Sequence, residues 1–148
     1  MHGLILTLVL ATIMMTWTVA IHFFGIVFLL RLLSRHSHRV AQFSEVIRQV
    51  SLLIFAVLGI IALHTVEIWS YAAVYLGLGA ISEFEPALYF STVSFTTIGY
   101  GDIVLGPQWR ILSAIEGANG LILFGWSTAF LISMMSRLRT LEHDWLER

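Results

Sequence analysis

The sequence predicts an all-α membrane protein in which three transmembrane helices accompany one short re-entrant helix, and three observations carry that prediction. Hydrophobic residues make up 58% of the 148 positions and charged residues only 11%, far from the balance of a soluble domain. Three apolar segments, Gly3 to Leu33, Ser51 to Leu76 and Trp109 to Met135, are each long enough to cross a hydrocarbon core of ~30 Å as a helix. Between the second and third lies GAISEFEPALYFSTVSFTTIGYGDIVLGPQ, too polar and too rich in glycine to span the bilayer. Since each span consumes ~20 residues, little of the chain is expected outside the lipid, and no soluble regulatory domain.

Taken in order, the first segment would be roughly 46 Å long if wholly helical, so it is expected to tilt or to project into the cytoplasm. It lacks a positively charged start and far exceeds the apolar run of about 7–15 residues of a signal peptide, which favours a retained span over a cleaved leader. Arg31, Arg35, Arg39 and Arg48 follow it, and Arg137, Arg139 and Arg148 follow the third segment. The excess of arginine puts both regions on the cytoplasmic side and the amino terminus outside, with only Arg110 opposite. Trp69, Tyr71 and Tyr75 near the outer end of the second helix, and Trp109 at the head of the third, suit interfacial anchoring. Arg31, Arg35 and Arg39 recur every fourth residue and so share one helical face, where they could meet anionic lipid headgroups. They lie beyond the span, which argues against a voltage sensor. Glu142, Asp144, Glu147 and Arg148 read as a solvated tail.

Within the polar segment, Pro86 predicts the start of a short helix, because proline suits a first turn and Glu83 and Glu85 suit the positive end of a helix dipole. That helix runs to about Thr96. Thr97 to Asp102 is then extended backbone at membrane depth, tolerated only where protein buries it or water fills a cavity beside it. Gly99 and Gly101 adopt left-handed backbone without the penalty of a side chain, so the carbonyls of Thr97, Ile98, Gly99 and Tyr100 can all turn to one side. Such a strip, with the Thr97 hydroxyl as its innermost oxygen, replaces the hydration shell of a potassium ion. One chain supplies one strip, so a symmetric oligomer is required to surround an ion.

These residues carry a family resemblance. TIGYGD, Thr97 to Asp102, resembles the selectivity filter of potassium channels, and ALYFSTVSFTTIGYGDI, Ala87 to Ile103, is similar to the pore helix and filter of prokaryotic two-helix and two-pore-domain channels. The likeness covers about Ser51 to Arg137. It implies a potassium-selective, homotetrameric channel in the cell membrane, with K+ as the permeant ion at Thr97, Ile98, Gly99 and Tyr100, and Gly101 completing the filter. It further implies an outer-mouth pair of Asp102 and Tyr89, a cavity lined by Leu121, Phe124 and Thr128, and a gating hinge at Gly120. Some family members place a glutamate in the pore helix where this chain has Val93, so a filter held by that carboxylate is not expected here. The domains are then an extra helix at 1–34, a cytoplasmic basic loop at 35–50, the pore domain at 51–137 and a short cytoplasmic tail at 138–148.

Glu67 and Glu116 are ionisable groups inside apolar helices and need partners. His64 lies one turn before Glu67, while Glu116 is expected to reach His64, Glu67 or pore-helix hydroxyls such as Ser94 and to support the filter from behind. His22 reads as a buried, hydrogen-bonded histidine rather than a ligand, and His36 and His38 have no zinc-like spacing around them. The formal charge of -1 argues against nucleic acid. The absence of cysteine excludes disulfides, thiolate metal sites and thiol catalysis within the chain. No organic cofactor is called for, and neither a nucleophile motif nor repeated ligand spacing suggests an enzyme. A tight helix-to-helix turn explains the two glycines less well, since it needs neither the hydroxyl-rich short helix nor the flanking spans. A transporter built from pore-like loops would join four repeats in one chain.

Overall fold

In the computed structural model, which describes residues 2–146 and side chains within 3–136, the described residues form four helices joined by short connections. They are α1 (His2–Arg39), α2 (Glu45–Gly77), α3 (Phe84–Phe95) and α4 (Arg110–Leu146). α1, α2 and the Arg110–Ser136 part of α4 are long and apolar enough to cross a membrane. α1 has 38 residues, about 57 Å at ~1.5 Å per residue, so it outlasts a hydrocarbon core of about 30 Å by several turns. The side chains of Arg137, Arg139, Glu142, Asp144, Glu147 and Arg148 lie outside the described residues.

The region expected as a basic loop, residues 35–50, is helical except for the connection at 40–44. Arginine and histidine do not interrupt a helix, and no glycine or proline lies between Gly25 and Gly59 to end one. Contacts fix this end of the bundle. His36 Nε2 lies 2.8 Å from Ser51 Oγ and its ring stacks on Phe55 at 4.7 Å, while Arg48 pairs with Glu45 at 2.6 Å.

α1 packs against both α2 and α4, and α3 is wedged between α2 and α4. Two glycines let α1 and α2 approach closely: a Cβ at Gly25 would overlap the Leu63 side chain, and one at Gly59 would overlap Leu29. A core of Tyr71, Tyr75, Phe90, Phe95, Leu112 and Leu123 joins α2, α3 and α4, and Ala11 and Met14 bring α1 onto it. A second cluster, Leu29, Leu33, Ala56 and Ile60, seals α1 on α2 nearer the 40–44 connection. Most remaining apolar side chains point outward, as expected where lipid rather than water is the solvent.

Candidate functional site

α3 begins after Glu83, whose extended backbone (φ -123°, ψ 149°) leads into the first turn with Pro86, and it ends at Thr96. Its last carbonyls are not left free. The N–H of Thr97 donates to Ser94 O at 3.0 Å, and those of Ile98 and Gly99 donate to Val93 O at 3.0 and 3.2 Å. The chain leaving α3 is thereby folded back under the helix end with its donors turned inward.

Left-handed backbone then recurs at every second residue, with φ of 61° at Thr97, 57° at Gly99 and 78° at Gly101. Alternation of this kind turns successive peptide units the same way, where a β-strand would alternate them. Among the described residues, the carbonyls of Thr97, Ile98, Gly99 and Tyr100 accept no hydrogen bond. Thr97 to Asp102 are all exposed on the single chain, Tyr100 to 70% and Ile98 to 54%, so the strip is an open edge.

Behind the strip, Tyr89 of α3 donates its hydroxyl hydrogen to Asp102 Oδ2 at 2.7 Å. That bond holds the Asp102 carboxyl below the usual carboxylate range and raises the Tyr89 phenol above its ordinary value. A cavity of about 260 Å³ lies here, lined in part by Tyr89, Val93, Ser94, Asp102, Arg110 and Ser113. Ser94 Oγ is 3.3 Å from Ser113 Oγ.

Deeper in the bundle, Glu116 is fully buried and accepts from Tyr75 OH at 2.5 Å and Ser91 Oγ at 2.6 Å. Its partners are therefore Tyr75 of α2 and a hydroxyl of the short helix α3, Ser91 rather than Ser94, and neither His64 nor Glu67. Ser91 Oγ also lies 2.9 Å from Ile68 O, so one hydroxyl of α3 touches both neighbouring helices. Gly117 and Gly120 let α4 cross the end of α3: a Cβ at Gly117 would sit 3.1 Å from Ser94 O, and one at Gly120 would overlap the Phe95 carbonyl. Leu121 and Thr128 are exposed, whereas Phe124 is half-buried with its ring 5.7 Å from Phe95 and 4.4 Å from His64.

A model of a family described as ion channel matches residues 52–137, more than half of the chain. The chain belongs to this ion-channel family. No curated protein and no solved structure matches it. The matched channel domain begins inside α2 and leaves α1 outside, yet polar contacts fasten α1 to it. Thr7 Oγ1 lies 3.1 Å from Gln108 O. Asn119 of α4 donates to Thr18 Oγ1 at 2.6 Å and to Tyr71 OH at 3.2 Å. His22 Nδ1 meets Glu67 Oε1 at 2.8 Å, and His64 Nδ1 meets Glu67 Oε2 at 2.7 Å. Asn119, Ser127 and Thr18 escape the sequence reading, and Tyr75, expected there as an interfacial anchor, is instead a buried partner of Glu116. Asn119 was the detectable one, a carboxamide inside an apolar span that needs a partner there. The small hydroxyls carry no such signal, because a lone serine or threonine in a helix bonds its own preceding turn.

Proposed function

We propose that the chain is one subunit of a homotetrameric channel that conducts K+ selectively across the cell membrane, with its amino terminus outside and its carboxyl terminus cytoplasmic. The observation that carries this reading is the strip at Thr97 to Gly101, where left-handed residues alternate, donors turn inward and carbonyls stay unengaged. An ion entering such a strip exchanges water oxygens for the carbonyls of Thr97, Ile98, Gly99 and Tyr100 and the hydroxyl of Thr97. One strip faces an ion from one side only. Four around an axis complete the shell and cover the exposed Tyr100 and Ile98 edge at the same time.

The rest of the domain acts as support. α3 is the pore helix, and its carboxyl-terminal dipole end lies next to the strip, where it favours a cation. Tyr89 and Asp102 brace the outer end, Glu116 with Ser91 and Tyr75 braces the helix behind it, and Leu121, Phe124 and Thr128 belong to the wall below. Arginine placement supports the orientation, with exposed Arg31, Arg35 and Arg39 on the cytoplasmic extension of α1 within reach of lipid headgroups. Potassium is cargo here, and conduction requires no catalytic group or organic cofactor.

The test is the reversal potential of purified protein in a planar bilayer with potassium on one side and sodium on the other. A value near the potassium equilibrium potential is expected. Current reversing near zero would overturn selectivity, and current surviving unchanged in Gly99→Ala would remove the strip from the pathway.

A further inference from the structure

Four polar side chains close a ring inside the bundle where α1 meets the channel domain. Glu67 of α2 holds His22 of α1 and His64 of α2 by their Nδ1 atoms, at 2.8 and 2.7 Å. On the opposite side, Ser127 Oγ of α4 lies 3.0 Å from His64 Nε2 and 3.5 Å from His22 Nε2. All four residues are buried, and Trp126, Phe95 and Phe124 wall them in.

A hydrogen inventory shows what the ring needs when both imidazoles are neutral. An ionised carboxylate only accepts, so both Nδ1 atoms carry hydrogens and donate to Glu67. With neutral imidazoles, both Nε2 lone pairs then face Ser127, whose hydroxyl has one hydrogen to give. One nitrogen lone pair is left without a donor, and the carboxylate charge is left unbalanced among apolar walls, where an isolated charge is costly. Among the described residues no arginine approaches to balance it. A proton on one Nε2, donated to Ser127 Oγ while the serine hydrogen goes to the other Nε2, would answer both needs, and so would a metal cation held between the two Nε2 atoms and the hydroxyl.

Spacing and ligand type indicate which cation. Tetrahedral sites with metal–nitrogen bonds of about 2.0–2.1 Å have ligand–ligand edges of roughly 3.3 Å. The two Oγ to Nε2 distances, 3.0 and 3.5 Å, bracket that value. Metal-binding histidines characteristically donate their other ring hydrogen to a carboxylate, the relation both imidazoles have to Glu67. Imidazole suits zinc and its transition-metal neighbours, whereas magnesium and calcium require several oxygen ligands. We propose that His22 and His64, through Nε2, together with the Ser127 hydroxyl, bind a zinc-type transition-metal ion, with Glu67 orienting both imidazoles and balancing charge. The ion would clamp α1 to α2 and α4 beside Phe95 and Phe124, next to the end of α3.

The experiment uses the full chain, purified without a tag and incubated with Zn2+ or Co2+ before desalting. About one ion per chain should be retained, the zinc should raise the melting temperature, and the cobalt form should show visible absorption of tetrahedral nitrogen and oxygen ligation. His22→Ala and His64→Ala should lose retention, and Glu67→Gln should weaken it about 10- to 100-fold. Ser127→Ala, which removes one atom and leaves both imidazoles in place, should shift the cobalt spectrum and weaken binding several-fold. His36→Ala and His38→Ala should change nothing. Failure of the unaltered protein to retain either metal would overturn the proposal. Binding that survives in both ring-histidine variants, or vanishes with His36 or His38, would do the same. None of these readouts depends on conduction, so they stand or fall separately from the channel reading.

Discussion

Thr97 has a left-handed backbone, φ 61°, although it is β-branched and such residues rarely adopt it. Sequence reasoning assigns that conformation to Gly99 and Gly101 alone, because only glycine takes it without penalty. The third position is imposed by the bonds of the Thr97, Ile98 and Gly99 N–H groups to Ser94 and Val93, which fold the chain back at the end of α3. Gly120, expected as a hinge, has a further reason to be glycine, since a Cβ there would overlap the backbone carbonyl of Phe95. Gly120→Ala should therefore cost about 1–3 kcal/mol of stability by overpacking. Gly125→Ala, with open space around it, should stay within about 0.5 kcal/mol or gain slightly, and thermal unfolding in detergent compares the two. At the Asp102 end of the strip, the Asp102 carboxyl is lowered by Tyr89, so its contact is fully present above the ordinary aspartate range and is lost as pH falls through the lowered value. Tyr89→Phe should return Asp102 upward toward its ordinary value, which a carbon-detected NMR titration of that carboxyl would register.

At the scale of elements, α3 is held between two spans by one buried carboxylate. Tyr75 and Ser91 both donate to Glu116, so Glu116→Gln replaces one of two acceptor oxygens with a donor, turns the Ser91 hydrogen to Ile68 O alone and removes that hydroxyl's bond to the carboxyl. A loss of about 1–3 kcal/mol is expected, with altered conductance, since the helix that carries the strip is the element loosened. Unchanged melting temperature and conductance would remove Glu116 from any supporting role. α1 depends on a different device, the notches at Gly25 and Gly59 that receive Leu63 and Leu29. Gly25→Leu should push α1 off α2 and destabilise the protein by about 1–3 kcal/mol, while Gly3→Leu, with nothing within 4 Å of it, should be neutral in the same unfolding assay. The spans themselves were legible because twenty apolar residues in sequence admit few other fates. Their ends were not, since helices outlast the bilayer wherever no glycine or proline stops them, as α1 does through Arg39.

For the whole molecule, Ile98 and Tyr100 of the strip are exposed on the single chain, and the proposed pore covers them with three further copies. Mass spectrometry of complexes released from detergent should find four chains, and a stable monomer that still conducts would be incompatible with the proposed pore. By itself the sequence determined that the chain is a membrane protein with three spans, that a short helix starts near Pro86, and that Thr97 to Asp102 resembles an ion-selective strip. These follow from local chemistry: apolar length, proline and glycine backbone preferences, and a motif in which neighbouring residues act together. Only the tertiary structure decided which side chains meet. Glu116 pairs with Tyr75 and Ser91, Asn119 reaches Thr18, and His22 closes a ring with Glu67, His64 and Ser127 across three helices. Partners 41, 25, 101 and 45 residues apart leave no trace in local periodicity. Inside a bilayer, where each buried polar group must find another, helix rotation and approach settle those pairings, and the glycines at 25, 59, 117 and 120 set how close the helices come.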